Sequence, residues 1–249
     1  METTEINKEE LEYIAQRTAQ WNRDRIGKLT SSNHYKLVAD CKRDMTPEEL
    51  ANRPPKSTAK TIIDPTLLSE GAITYIEEMV TEILTGESCD STVTTKEMEW
   101  GILHEPEAIQ LYSTVMKVHV TETGSLPYKP YPKFVSGSPD GLIEDNGGLE
   151  VKCPYNSVHH LKNLRMKTWE DLKKLRPIYY WQCVSGMLIT GRAYWDFMSY
   201  SPKFPGHLQM AFVRLKYEDV QEDIRLLAIK IKFAIKEGET ILEKFQEDE

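Results

Sequence analysis

From Phe134 to Lys152 the chain runs F-V-S-G-S-P-D-G-L-I-E-D-N-G-G-L-E-V-K, and three of its side chains could do chemistry together. Asp140 follows a Ser-Pro, Glu150 comes ten residues later, and Lys152 lies one apolar residue beyond. The local pattern is a β-hairpin. Residues 141–144 and 149–152 form short strands, and Asp145-Asn146-Gly147-Gly148 supplies the φ > 0 residues of a tight turn. Strand alternation puts Glu150 and Lys152 on one face and sends Leu149 and Val151 into a core. Asp140, at the mouth of the hairpin, reaches the same side. Two carboxylates and an ammonium on one face are costly to gather unless a metal ion or substrate compensates. Hard oxygen ligands of this kind suit Mg²⁺ or Mn²⁺. The spacing equally fits a hairpin whose outer face is solvated, with Glu150 and Lys152 as surface residues, and alone it leaves both readings open.

The elements around the hairpin must come from the rest of the chain. Its 249 residues are 40% hydrophobic and 28% charged, which fits one large globular domain with a substantial core. No apolar run approaches membrane-spanning length, and residues 1–12 are acidic and polar, unlike a signal peptide. The expectation is a cytoplasmic protein. Cys41, Cys89, Cys153 and Cys183 are scattered without a C-x-x-C pair, which argues against zinc ribbons, iron–sulfur clusters and a disulfide framework and for buried thiols. A net charge of −8 counts mildly against a nucleic-acid binder. Residues 152–176, however, concentrate Lys162, Arg165, Lys167, Lys173 and Lys174. That run is either a local basic lining or a solvated helix face.

Periodicity supplies the elements. Helices are expected at 8–21, 33–39, 66–84, 95–116, 177–191 and 217–245, and strands at 118–123, 134–136, 192–200 and 208–215. In the 66–84 helix Ile73, Ile76, Val80 and Ile83 have core spacing, and Gly86 ends it. In the 95–116 helix Trp100, Leu103, Ala108, Leu111 and Tyr112 make the core stripe. Glu105 precedes Pro106, so a kink or restart there would bring a carboxylate to a helix break; an exposed helix carboxylate is the alternative. Thr30, Ser31 or Ser32 caps the 33–39 helix, and Arg25 beside it suits either a capped helix or an anion site. Residues 41–65 lack periodicity and read as a long surface segment with a short helix near 47–51. Gln182 interrupts an apolar helix, as a hydrogen-bonded core residue or as part of a site. The result is an α/β arrangement, a mixed central sheet flanked by helices.

Taken in order, these landmarks resemble a known family. W-x-x-x-R-x-G-x-x-T-x-S spans Trp21 to Ser32, K-x-x-x-W-G-x-x-x-E spans Lys96 to Glu105, S-P-D-G-L spans Ser138 to Leu142, L-E-x-K-C-P spans Leu149 to Pro154, and Gln182 follows in the next helix. The set is similar to the PD-(D/E)XK nucleases and, within them, to the lambda-type phage exonucleases, the YqaJ-like viral recombinase (alkaline exonuclease) family. The resemblance covers roughly residues 21–200.

It implies a PD-(D/E)XK (restriction-endonuclease-like) core in one nuclease domain over 1–249. A helical part at about 1–116 would pack on a catalytic sheet core at about 117–216, followed by a C-terminal helix at about 217–247. It implies that Asp140 and Glu150 bind Mg²⁺ (Mn²⁺ substituting), with the Val151 carbonyl as a further ligand. Glu105 would hold a second metal or the water network. Lys152 would position or deprotonate the attacking water and stabilise phosphate charge, and Gln182 would support the site. Arg25, Ser32 and Ser138 would receive the terminal 5′-phosphate, Lys96 would touch a backbone phosphate, and Met98 would wedge at the duplex end. One position departs from the pattern: where a phosphate-gripping Arg is expected stands Val158, followed by His159 and His160.

The implied activity is a Mg²⁺-dependent 5′→3′ exonuclease on linear double-stranded DNA with a 5′-phosphate, leaving 3′ overhangs for recombination by strand annealing. A homotrimeric ring, a single-strand annealing protein as partner, no membrane, and a phage or prophage origin with action in the bacterial cytoplasm are implied with it. An internally cutting PD-(D/E)XK endonuclease and a catalytically decayed DNA-binding protein are the competing readings.

Overall fold

The computed structural model describes residues 22–89 and 95–246. The expected helix at 8–21 and part of the polar connection after Ser88 lie outside them. Ten strands and seven α-helices follow in the described residues. The central sheet has five strands in the order β10-β9-β8-β7-β4. These are β4 (Val120–Thr121), β7 (Gly141–Ile143), β8 (Gly147–Lys152), β9 (Tyr194–Tyr200) and β10 (Met210–Lys216). Only β8 and β9 run parallel; their neighbours are antiparallel, so the sheet is mixed as expected. A parallel pair needs a crossover. Here it is built from three helices: α4 (Ser157–Asn163), α5 (Trp169–Leu175) and α6 (Pro177–Thr190). Periodicity foretold only α6; α4 and α5, at seven residues each, are too short to show it.

Alternation along β8 and β9 sorts the two faces of the sheet. Leu149, Val151, Met198 and Tyr200 point to one side, where Ala108, Ile109 and Tyr112 of α3 (Lys96–Met116) cover them. Trp195 and Phe197 point to the other, into a larger core with α6, α2 (Glu70–Thr85) and α7 (Tyr217–Gln246). Each of these buried apolar side chains contributes about 1.5–3 kcal/mol. Glu150 and Lys152 therefore lie on the α6 side. Two minor sheets complete the fold. In one, β1 (Leu29–Thr30) runs parallel to β6 (Val135–Gly137), which also pairs with β5 (Leu126–Pro127). The other pairs β2 (Lys42–Asp44) with β3 (Thr61–Ile63).

Several expectations need correcting. The hairpin turn is Glu144–Asn146, with the positive φ on Glu144 at 43°, not on the glycines. Gly147 and Gly148 belong to β8 because a Cβ on either would overlap the ring of Tyr194 or Trp195 from the neighbouring strand. Close approach, rather than a turn, requires them. Helix α3 passes through Pro106 without a restart, so Glu105 sits mid-helix. Its buried side is Ala108, Ile109 and Tyr112, where Ile109 replaces the expected Leu103.

Helix α2 starts only at Glu70, where the Ser69 hydroxyl accepts from Ala72 N–H, and Ile83 is exposed on its outer side. In place of a helix at 33–39 there is one 3₁₀ turn, His34–Lys36, with no side-chain cap. The 41–65 segment carries the expected short helix, α1 (Pro47–Ala51) with its Thr46–Glu49 capping box, and in addition the β2–β3 pair that flanks it, while Arg43 bridges Glu49 and Asp64. Buried Lys230 of α7 clamps both ends of this excursion, donating to the carbonyls of Ala39 (3.2 Å) and Leu67 (2.6 Å). Cys153 and Cys183 are buried thiols as expected, but Cys41 is half-buried and Cys89 exposed, because each stands in a surface connection and not in a packed element. Among the described residues, no helix is long and apolar enough to cross a membrane.

Candidate active site

Strand β8 fixes the charged centre. Glu150 is 5% exposed, on the α6 face, and Lys152 Nζ pairs with its Oε1. Asp140, just before β7, is tied to β8 from the side: its Oδ2 accepts from the Val151 N–H at 2.6 Å. That bond holds the second carboxylate beside the first. The surface alternative for Glu150 and Lys152 is thereby removed, since the carboxylate is buried between sheet and helix.

Charge is concentrated here. Burial pushes the Glu150 carboxyl up to about 7; the Lys152 ammonium pulls it down, while Asp140 and Glu105 push it up further. Burial disfavours the Lys152 ammonium, but the Glu150 and Asp140 carboxylates more than offset this and hold its pKa above the ordinary lysine range. In this arrangement the two carboxylates favour the charged form of Lys152. Burial also raises the neighbouring Cys153, so it is a thiol and no nucleophile. Glu105, half-buried on α3, is close enough to act electrostatically on both Glu150 and Cys153. Its helix is anchored two turns on by Tyr112, whose hydroxyl donates to Asp196; buried Asp196 also accepts from Nε and Nη2 of Arg214, each at 2.8 Å.

Among the described residues no three His, Cys, Asp or Glu side chains converge tightly enough to cage a metal by themselves. The donor set nevertheless fits Mg²⁺, which binds through one or two carboxylates and leaves its other positions to water and substrate phosphates. Asp140 and Glu150 are the carboxylates that would hold such an ion. Their hard oxygens and their unfavourable mutual charge suit a divalent cation.

A pocket opens next to Glu150. Ser138, Gln182, Ser31, Gly137, Gly186 and Trp195 help to line it, so the structure brings Ser138 and Gln182 to the carboxylate as expected. Arg25 and Ser32 form a separate pair, the guanidinium donating to Ser32 Oγ at 2.8 Å, with Thr30 Oγ1 at 3.3 Å from that oxygen. Arg25 also lines a neighbouring depression with Lys28, Asn33 and Glu82. Glu82 pins the loop there by accepting from Gly27 N–H and Cys89 N–H. Lys96 and Met98 stand exposed on the first turn of α3. Met98 precedes Glu105 by seven residues, which places the two on one helix face about 10 Å apart.

The Val158 position is answered in part. Val158 and His159 are exposed, but His160 is buried. One ring nitrogen of His160 meets Ser199 Oγ and the other the Leu208 carbonyl, both at 2.8 Å. Burial lowers its pKa, and with both ring nitrogens engaged inside the fold His160 is not placed to grip a phosphate as an arginine would. Sequence reading missed Ser31, Ser185, His34 and Trp195. A signal existed for Ser185: it follows Gln182 by three positions and so shares its face on α6.

Comparison with known proteins follows the geometry. The family described as YqaJ-like viral recombinase domain matches residues 20–193. No curated protein matches the chain. Among solved structures, an alkaline exonuclease from Laribacter hongkongensis superposes with a TM-score of 0.63 at 24% identity, over 92% of this chain and 98% of that one. A phage-related exonuclease from Haemophilus somnus gives 0.65 at 15% identity, over 88% and 96%. The fold is thus the mixed α/β arrangement of alkaline exonucleases of the PD-(D/E)XK type.

Proposed function

This chain belongs to the YqaJ-like viral recombinase domain family, and from that premise we propose that it is a metal-dependent nuclease, specifically a 5′→3′ exonuclease of linear duplex DNA. One observation carries the reading: Asp140, Glu150 and Lys152 are gathered at a half-enclosed site next to a hydroxyl-lined pocket. A buried carboxylate beside a half-buried one, with a single ammonium, is costly to maintain. Phosphodiester hydrolysis gives it a purpose.

Asp140 and Glu150, with the Val151 carbonyl, would hold Mg²⁺ or Mn²⁺; such an ion lowers the pKa of water and neutralises phosphoryl oxygens. Lys152, kept charged by both carboxylates, would donate to a non-bridging oxygen and orient the water. Glu105, reaching in from α3, would order the solvent or a second ion. Gln182 would hold the nucleotide or water from the α6 side. Arg25 and Ser32, with Ser138, would receive the terminal 5′-phosphate and so set which bond is cut. Lys96 would contact a backbone phosphate, and Met98 would bear on the last base pair.

We further propose that the protein acts in the cytoplasm of a bacterial host as a homotrimeric ring, with a single-strand annealing protein taking the 3′ overhang. Enclosure accounts for DNA retention by a chain of net charge −8. The test is digestion of linear duplex labelled at either the 5′ or the 3′ terminus, with light scattering to give the mass. Immediate release of the 5′ label, a persisting 3′ label and a trimer mass are expected. Early loss of the 3′ label contradicts the polarity, and a monomer mass contradicts the ring.

A further inference from the structure

The pocket beside Glu150 has more donor capacity than the roles above use. Ser31 Oγ lies against the Gly137 backbone, so close that a Cβ at Gly137 would overlap it. Behind it the Ser185 hydroxyl donates to Ser31 Oγ at 2.8 Å. His34 Nδ1 stands 2.8 Å from Ser185 Oγ. His34 is fully buried, and burial lowers its pKa to about 4, so the ring is neutral near pH 7.

A hydroxyl has one proton to give. The Ser185 proton goes to Ser31, so Ser185 accepts from His34 Nδ1–H, and the chain of bonds runs one way, from His34 through Ser185 to Ser31. It ends on a Ser31 O–H that has no protein acceptor among the described residues. Trp195 repeats the pattern. Its ring is 1% exposed and lines the same pocket, and its buried indole N–H also lacks a protein partner. The Ser31 O–H is an unassigned donor in the pocket wall, and it calls for an acceptor ligand. Glu150 in the same wall would repel a bare anion, but Lys152 sits on that carboxylate and offsets it.

We propose that Ser31 is a phosphoryl-oxygen donor to the terminal 5′-phosphate, and that Ser185 and His34 are positioning residues that aim its hydroxyl. The inference rests on the exonuclease reading, because it takes the ligand to be a DNA end.

Ser31→Ala in the full chain tests it, on linear duplexes ending in either 5′-phosphate or 5′-hydroxyl. Initial rates in Mg²⁺ give KM and kcat, and fluorescence anisotropy in Ca²⁺ gives affinity. Removing one hydrogen bond to a charged phosphate should raise KM and Kd for the phosphorylated end about tenfold. The value of kcat and all constants for the hydroxyl end should stay unchanged. His34→Asn, whose amide can replace the Nδ1–H donor, should keep the preference, while His34→Leu should lose part of it; melting temperatures recorded alongside separate this from unfolding. An intact preference in Ser31→Ala, or equal losses on both ends, overturns the proposal and implies a pocket filled by water only. Wild-type protein that digests linear DNA without distinguishing the ends overturns it too, while leaving the nuclease reading standing. Wild-type protein that digests nothing refutes the nuclease reading, and the anisotropy comparison then decides Ser31 on its own.

Discussion

The two walls of the site are held in opposite ways. On the β8 wall the groups are charged, and backbone holds them: strand pairing fixes Glu150 and Lys152, and the Val151 N–H fixes Asp140. On the wall formed by residues 30–34 and α6 the groups are neutral, and side chains hold them, in the relay from His34 through Ser185 to Ser31. A charged wall can supply catalysis, because charge is what changes in the transition state. The hydroxyls of the neutral wall are placed to favour one bound end over another. Damage to the first should therefore appear in kcat and damage to the second in KM.

The largest effect should come from the charged wall. Lys152→Ala, or chelation with EDTA, is expected to lower kcat by about 10²–10⁴-fold, equally for phosphorylated and hydroxyl ends. A loss confined to phosphorylated ends would erase the distinction between the walls.

Acid should separate them next, with opposite signs. The folded-state pKa of His34 is depressed to about 4, so the unfolded chain takes the proton first and stability is lost as pH falls from 6.5 towards 4. The full loss is about 3 kcal/mol. Glu150 is raised to about 7, so protonation below that pH relieves its burial and works the other way. Wild-type and His34→Asn protein melted across this range should differ, with the variant losing less on acidification. Parallel curves would show that His34 is not the buried neutral ring described.

Arg25→Ala should come third. The guanidinium faces Ser32 and would give a charge-assisted bond to phosphate, worth about 10–100-fold in preference for phosphorylated ends. Competition between the two substrates reads this directly, and unchanged preference would assign end selection to Ser31 and Ser138 alone. The smallest effect should be Gly148→Ala. Its Cβ would press on the Trp195 ring, lowering stability by about 1–3 kcal/mol in thermal melts. Because Trp195 lines the pocket, KM should move more than kcat; an unaltered melting temperature would mean the glycine is not needed for this approach.

The same contrast explains what could be read from the chain. Asp140, Glu150 and Lys152 were legible because the alternation of β8 puts two of them on one face and because the ordered set of motifs around them resembles a known family. Their spacing alone fitted a solvated hairpin face equally well. Helices α6 and α7 were legible from apolar spacing and from the Pro177 and Gly191 boundaries. The neutral wall was not legible. Serines are common, and the bonds between Ser31 and Ser185 or between Ser185 and His34 span 154 and 151 residues, which no local pattern records. The paired glycines misled for a related reason: a turn and a close interstrand approach call for the same residue. Pro106 misled because the burial of Ala108, Ile109 and Tyr112 favours continuing α3 past the lost backbone bond. In the 41–65 segment the short helix at 47–51 was legible, but the β2–β3 pair was not, because the segment is held by Arg43 and Lys230, two side chains that satisfy distant acceptors.

The central claim is that the Asp140–Glu150–Lys152 centre hydrolyses DNA from a duplex terminus with a divalent ion. Purified protein and its Lys152→Ala variant should be incubated with a covalently closed circular plasmid and with the same plasmid linearised, each in Mg²⁺ and in EDTA. The account predicts mononucleotides from the linear form alone, only with Mg²⁺ and only from the wild-type chain. Nicking of closed circles at a comparable rate, or intact linear DNA in Mg²⁺, would contradict it.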